Sequence, residues 1–449
     1  MPTIAPHAAP PGPRSRFPGD LLLQLTRHRI DLLRDMATEF GDVSQLQIGK
    51  QRIVLLTNPE DIRDLLVTNQ RLFQKGQALQ RAKVLIGEGL LTSEGELHLR
   101  QRRLVQPAFH RARIGAYAQA MTSAAMLTQS QWSDGLALDA NRAMMHVTLD
   151  IVAATLFGAD MGSESSRIGQ ALDDVFESFS LGYGPLTPLL DLLPTPRRRR
   201  FVAGKQRLDD TIDRIITQRR ASGEDTGDLL SMLLHATDTE GDGGGMSDQQ
   251  LRDEAITLFI AGHETTANAL TWTWLLLART PDAERALHEE VDRVLGDRLP
   301  TMDDLPQLPM ARAVIAESMR LYPPAYIIGR RATAPYRVAD YDFPTGTIFL
   351  APQFVVHRDP RWWPDANAFV PARWLDGAAT AARPKMAYFP FGAGTRICVG
   401  EQFAWMEAIL VLATVARRWR VRVPGADPAL EPIITLRPKG GLPAVLERR

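Results

Sequence analysis

The only cysteine of the chain, Cys398, lies in Phe391-Gly-Ala-Gly-Thr-Arg-Ile-Cys398-Val-Gly400, just before a helical run that starts at Glu401. Gly392, Gly394 and Gly400 let the backbone turn tightly and approach another object closely. The free N–H groups of the helix start favour a thiolate at Cys398. Arg396, two residues away, offers a cation to an anion. Three chemistries fit these residues. The thiol is an inert core group, or a nucleophile whose histidine partner the sequence does not place. As a third choice it is a metal ligand, as where a thiolate on haem iron pushes electron density into an O–O bond.

A second cluster is Ala261-Gly-His-Glu-Thr-Thr266. Glu264 and Thr265 form a candidate proton-delivery pair, with Thr266 the weaker alternative. A mid-helix threonine bonds back to its own i−4 carbonyl and bends the helix. Gly262 weakens the same turn, so a kink that opens room for dioxygen and water is expected. The metalloprotease pattern H-E-x-x-H is excluded because position 267 is Ala267. Glu317 and Arg320 stand i, i+3 and pair on a helix. The run Arg197–Arg200 reads as a solvated surface in a region between two helices.

These groups need elements to hold them. The longest helical pattern begins at Ser247, whose spacing to Gln250 is a capping box, and stops at Pro281. Its 33 or so residues span roughly 50 Å, the width of a whole globule, so the polar cluster at its middle lies inside the core. Helices are also expected over 20–40, from Asn58 as N-cap, over 282–295, and from Pro309 to Pro323-Pro324. Val43–Ile48 and Arg52–Thr57 flank Gly49-Lys50 as a β-hairpin. Residues 325–357 and the last 26 residues carry short strand signals around turns. Gly182–Pro196 and Thr237–Ser247 read as interruptions of a mostly helical stretch.

Composition removes several classes. With 52 basic and 52 acidic residues the net charge is zero, unlike a dedicated nucleic-acid binder. One cysteine among 449 residues forms neither a disulfide framework nor a Cys-rich zinc site. No run approaches the ~20 apolar residues of a transmembrane helix. The N-terminal 18 residues form a proline-rich extended arm without the apolar core of a signal peptide. A reducing cytoplasm is the expected location. Length suggests about three domains, but no linker divides the chain.

Phe391–Gly400 fits F-x-x-G-x-R-x-C-x-G, the cysteine loop of the cytochrome P450 superfamily, at every fixed position. The chain resembles that family in the same order elsewhere: Ala261–Thr266 like its oxygen-activation segment, Glu317–Arg320 like its E-x-x-R pair, Phe369–Trp374 like its downstream arginine segment, and His98 to Arg102 like its H-x-x-x-R helix. The resemblance covers about residues 20–440. It implies a mainly α fold with a smaller β region and a long central helix crossing the core. A single domain over 19–449 then follows the arm of 1–18. Haem b would sit between the central helix and the helix after Cys398, with Cys398 as axial ligand. Glu264 and Thr265 would deliver protons. Glu317, Arg320 and Arg373 would form a buried triad that fixes the cysteine loop; removing one partner would cost roughly 3–5 kcal/mol. His98 (tryptophan in many members), Arg102, Arg330 and Arg396 would meet the propionates, and Ala261, Phe391 and Gly400 would touch the ring.

The implied activity is insertion of one oxygen atom from O2 into a C–H or C=C bond of a lipophilic small molecule. Leu85, Ile86, Leu258, Tyr326, Ile327 and Ile328 are the candidate pocket residues; terpenes, fatty acids, steroids and macrolides all suit such walls. Electrons would come from a ferredoxin or flavodoxin with its NAD(P)H reductase, docking on a basic face around Arg102, to a monomer. Two alternatives stay open: a peroxide-driven haem-thiolate enzyme and a non-catalytic haem-binding sensor.

Overall fold

The computed structural model describes residues 9–110, 114–158, 171 and 195–449. The central helix is Asp248–Arg279, capped by the expected box: Gln250 N donates to Ser247 Oγ at 3.2 Å and Ser247 N to Gln250 Oε1 at 3.1 Å. Most of its sides are buried, since its neighbours surround it. It packs against Ala140–Phe157 on one side and against Pro309–Leu321 and the cysteine helix Glu401–Ala416 on others. These helices share the largest apolar core. Gly262 allows the close approach: a Cβ there would stand 3.0 Å from Val152 Cγ2. The helix stays α-helical through Gly262 and Thr265 without a break.

The main sheet has five strands in the order 43–48, 51–56, 348–351, 328–332, 73–75. The first two form the expected hairpin, with Ile48 paired to Gln51. The strand Ile328–Ala332 leads from this sheet to the cavity described below. Smaller sheets include the hairpin Leu430–Pro432 with Leu436–Pro438. The last stretch of 325–357 is helix over Gln353–Val356 rather than strand.

Two further expectations are corrected. The helix over 20–40 is two helices, Asp20–Arg27 and Arg29–Phe40, broken at His28. The Arg29 side chain takes the Leu25 carbonyl at 3.0 Å, the acceptor its own amide would have used in an unbroken helix. Arg198–Arg200 belong to the first turn of the helix Pro196–Ser222, not to a connection between helices. Residues 182–194 of the glycine/proline interruption lie outside the described residues. The proline-rich arm rests on the sheet edge at its described end: Pro10 is buried and Gln45 N donates to Pro11 O at 2.9 Å.

Candidate functional site

A cavity of about 1250 Å³ runs between the central helix, the cysteine loop and the sheet. That exceeds the ~300–1,000 Å³ usual for one small ligand, so there is room for a prosthetic group and a ligand. Its wall includes Cys398, Phe391, Gly400, Ala261, Glu264 and Thr265. Leu85, Ile86, Leu258, Tyr326, Ile327 and Ile328 all line it as expected. Tyr326 is more than an apolar wall: its hydroxyl donates to Ile433 O at 3.1 Å.

The cysteine loop is fixed from several sides. Cys398 N donates to Phe391 O at 2.9 Å, and Thr395 N and Oγ1 both donate to Gln70 Oε1 at 2.8 Å. Gly394 is required twice over: its φ is +71, and a Cβ would lie 2.1 Å from Leu66 O. Gly400 does not share that need. Its φ is −89, and a Cβ would make an ordinary 3.6 Å contact with Phe109. The Cys398 sulfur faces the cavity but is enclosed by the fold. Burial pushes its thiol up to about 11, against the pull of the Gly400 N–H and of Arg102. Desolvation thus opposes the helix start, and a metal cation at the sulfur would remove the proton outright.

One end of the cavity is cationic. Arg330 is buried, and among the described residues its hydrogen bond goes to Gly329 O and no carboxylate pairs with it. Burial and neighbouring Arg396 lower it to about 10. Arg331 beside it is exposed and does not line the cavity. Arg396 donates to Glu94 Oε2 at 2.6 Å and to Phe73 O at 3.1 Å. Arg102 does not face outward: it donates to Ile397 O at 2.8 Å, behind the cysteine loop. Its helix neighbours Arg100 and Arg103 are paired with Asp242 and Asp238, so the expected basic face there is largely neutralised. His98 is buried, and its Nε2 has no partner among the described residues. No pattern in the sequence marks Lys75. Its ammonium is buried beside His98, donating to Ser93 O at 2.6 Å and Leu90 O at 2.8 Å and lying 3.3 Å from His98 Nδ1. Burial brings it down to about 7. An excess of buried cation with an orphaned ring N–H fits a group that carries carboxylates.

On the central helix, Thr265 Oγ1 donates to Ala261 O at 2.7 Å, the back-bond expected. Glu264 is buried and accepts from Thr435 Oγ1 at 2.6 Å. Burial raises its carboxyl above the usual range. Thr266 also borders the cavity and hydrogen-bonds Glu407 of the cysteine helix, a buried acid raised by burial to about 8. Nothing in the sequence set Glu407 apart from a surface acid.

Glu317, Arg320 and Arg373 do meet. Arg320 donates through Nε and a terminal nitrogen to Glu317 at 2.8 and 2.9 Å, and Arg373 Nε at 2.9 Å. Glu317 and Arg320 are fully buried. Trp374 Nε1 and Val370 N also donate to the same carboxylate. Arg320 reaches His357 O at 2.9 Å, and Phe389 N donates to His357 Nε2 at 3.0 Å. The triad thus grips the segment that leads into the cysteine loop. Among the described residues no group of three or more His, Cys, Asp or Glu side chains could hold a metal. Nor is any helix there long and apolar enough to cross a membrane.

The sequence model of the family described as Cytochrome P450 matches residues 10–442. The chain is 39% identical over 439 residues to cyclooctatin synthase of Streptomyces melanosporofaciens, covering 97% of this chain and 93% of the relative. It is 38% identical over 393 residues to cyclooctat-9-en-7-ol 5-monooxygenase of the same organism, covering 86% and 84%. To pentalenene oxygenase of Streptomyces avermitilis it is 37% identical over 408 residues, covering 90% and 89%.

Proposed function

Since the chain belongs to the cytochrome P450 family, we propose that it oxidises a terpene-type hydrocarbon or alcohol in the cavity behind Cys398. It is a haem-thiolate monooxygenase of lipophilic small molecules, and Cys398 is the axial ligand because the chain has one cysteine. The observation that carries the proposal is that Cys398, Glu264 and Thr265 line one apolar-walled cavity. Two relatives take their names from an alkene and an alkenol, which narrows the four substrate classes open from the sequence. When bound, the haem supplies the oxidising chemistry, with thiolate donation favouring O–O cleavage.

The chain's residues divide the remaining work. Arg330 and Arg396, on the cavity wall, would supply cations to the propionates, while Arg102 and the His98 Nε2 donor would act from behind that wall. Ala261, Phe391 and Gly400 wall the ring site. Glu264, raised by burial, favours the protonated form that can give a proton to the cavity. Thr265 spends its own proton on Ala261 O, so its lone pairs remain to accept one. Keeping this acid and hydroxyl side by side supports the dioxygen route over the peroxide-driven one. Electrons come from partner proteins, for which we propose a ferredoxin or flavodoxin with its NAD(P)H reductase. One cysteine cannot hold a Cys-ligated iron–sulfur cluster within this chain. We further propose a cytoplasmic monomer, folded as a single domain over 19–449. The test of substrate class is a titration of the haem-loaded protein with terpene hydrocarbons, fatty acids, steroids and macrolides. The terpenes are expected to displace the iron-bound water at the lowest concentration and to give a product one oxygen heavier. A preference for any other class overturns the assignment.

A further inference from the structure

The hairpin Leu430–Pro432/Leu436–Pro438 brings Ile433, Ile434 and Thr435 at its tip into the cavity wall. The tip is tied on three sides. Tyr326 Oη donates to Ile433 O at 3.1 Å, and Arg29 donates to Tyr326 Oη at 2.5 Å and to Pro432 O at 3.3 Å. Leu436 N donates to Pro324 O at 2.9 Å, and Trp272 Nε1 of the central helix donates to Leu436 O at 2.9 Å. A tip held this firmly presents Thr435 at a fixed place.

That place is beside Glu264. Thr435 Oγ1 lies 2.6 Å from Glu264 Oε1 and accepts from Asn268 Nδ2 at 3.0 Å. Asn268 stands one turn beyond Glu264, and its own oxygen accepts from Asn141 Nδ2 at 3.2 Å. Asn268 is oriented from both ends, so its amide donates to Thr435 and cannot accept from it. A threonine hydroxyl has one proton. With Asn268 donating into its oxygen, that proton goes to Glu264 whenever Glu264 is ionised. When Glu264 is protonated, the acid donates to Thr435 instead. One carboxyl rotamer is therefore satisfied in both protonation states, and the hairpin tip sets which rotamer that is.

We propose that Thr435 is the positioning residue of Glu264, holding its carboxyl in the orientation from which it serves the cavity. Thr435 acts through Glu264, and the inference rests on the reading of Glu264 as the proton donor. The direction of the perturbation agrees: burial raises the Glu264 carboxyl, while the Thr435 bond and the charge of Arg437 pull it back.

The experiment compares Thr435→Val, Thr435→Ser, Glu264→Gln and the double variant T435V/E264Q in the haem-loaded full chain. Three readouts are taken: product formed per electron consumed, the infrared carboxyl band of Glu264 (identified by its loss in E264Q), and the spectrum of the reduced CO complex. T435V is expected to lower product per electron by up to roughly tenfold, the effect of losing one hydrogen bond, and to shift the Glu264 band. T435S keeps the donor and is expected to restore both. In the E264Q background T435V adds nothing, because residues that act as a unit are not additive. Wild-type coupling in T435V, an unmoved band, or an equal loss in the E264Q background overturns the proposal. A wild-type chain that lacks the thiolate–haem CO band overturns the underlying function instead, and that failure is read before any variant is compared.

Discussion

Replacing Glu317 by Gln keeps the side chain's shape and removes its charge. Five donors reach the carboxylate: two Arg320 nitrogens, Arg373 Nε, Trp374 Nε1 and Val370 N. Three of them meet Oε1 and two meet Oε2. The better Gln orientation places its NH2 at the Oε2 side, against Arg320 Nε and Trp374 Nε1. Two hydrogen bonds are lost, and Arg320, with no solvent exposure, is left as a buried cation beside Arg373. Breaking such a buried pair costs about 3–5 kcal/mol. Unfolding entropy of ~2.1 cal/mol/K per residue over 449 residues is roughly 0.9 kcal/mol/K, so melting falls by about 3–5 °C. Calorimetry of the haem-loaded protein at a fixed scan rate measures this. Asp282→Asn is the control, since the Arg285–Asp282 pair is 66% and 86% exposed and its loss should shift melting by under ~1 °C. E317Q should also release haem faster, because Arg320 and His357 link the triad to Phe389. An E317Q melting point no lower than that of D282N refutes the buried-triad reasoning.

Thr265→Ala is expected to lower product per electron about tenfold while leaving the ligand-induced spectral titration in place; unchanged coupling would favour the peroxide-driven reading. Gly394→Ala should cost ~1–3 kcal/mol of backbone strain plus the clash with Leu66 O, whereas Gly400→Ala should change melting little. Equal effects would show that backbone conformation is not what selects glycine at 394. Burial holds His288 at about 4, below its ordinary 6.5. The unfolded chain therefore binds the extra proton between those values, and stability falls as pH drops through that window. His288→Phe should flatten the fall by up to about 1.4 kcal/mol per pH unit in denaturant titrations; an unaltered slope contradicts it.

Much of this molecule is legible from local pattern. The Ser247–Gln250 box, the Gly49-Lys50 hairpin and the Thr265 back-bond depend on residues a few positions apart, and each formed as read. The cysteine loop was legible for the same reason, although Gly394 and Gly400 turned out to have different needs. What stayed hidden depends on distant partners. Thr435 lies 171 positions from Glu264, and Lys75 lies 23 from His98. Neither residue type is unusual where it stands. The charge of Arg102 is visible in the sequence, whereas its direction is set by Ile397 O on another element. At Cys398 burial raises the thiol while the Gly400 N–H and Arg102 lower it, so distant elements share with the helix start in setting its acidity.

The central claim is that Cys398 binds haem iron as a thiolate. The most direct measurement is the difference spectrum of the reduced protein with and without CO, taken on the haem-loaded chain and on Cys398→Ser. The wild type should show the far-red Soret band of thiolate-ligated haem, and the variant should lose it. A haem-loaded wild type without that band, or a Cys398→Ser protein that keeps it, would contradict the account.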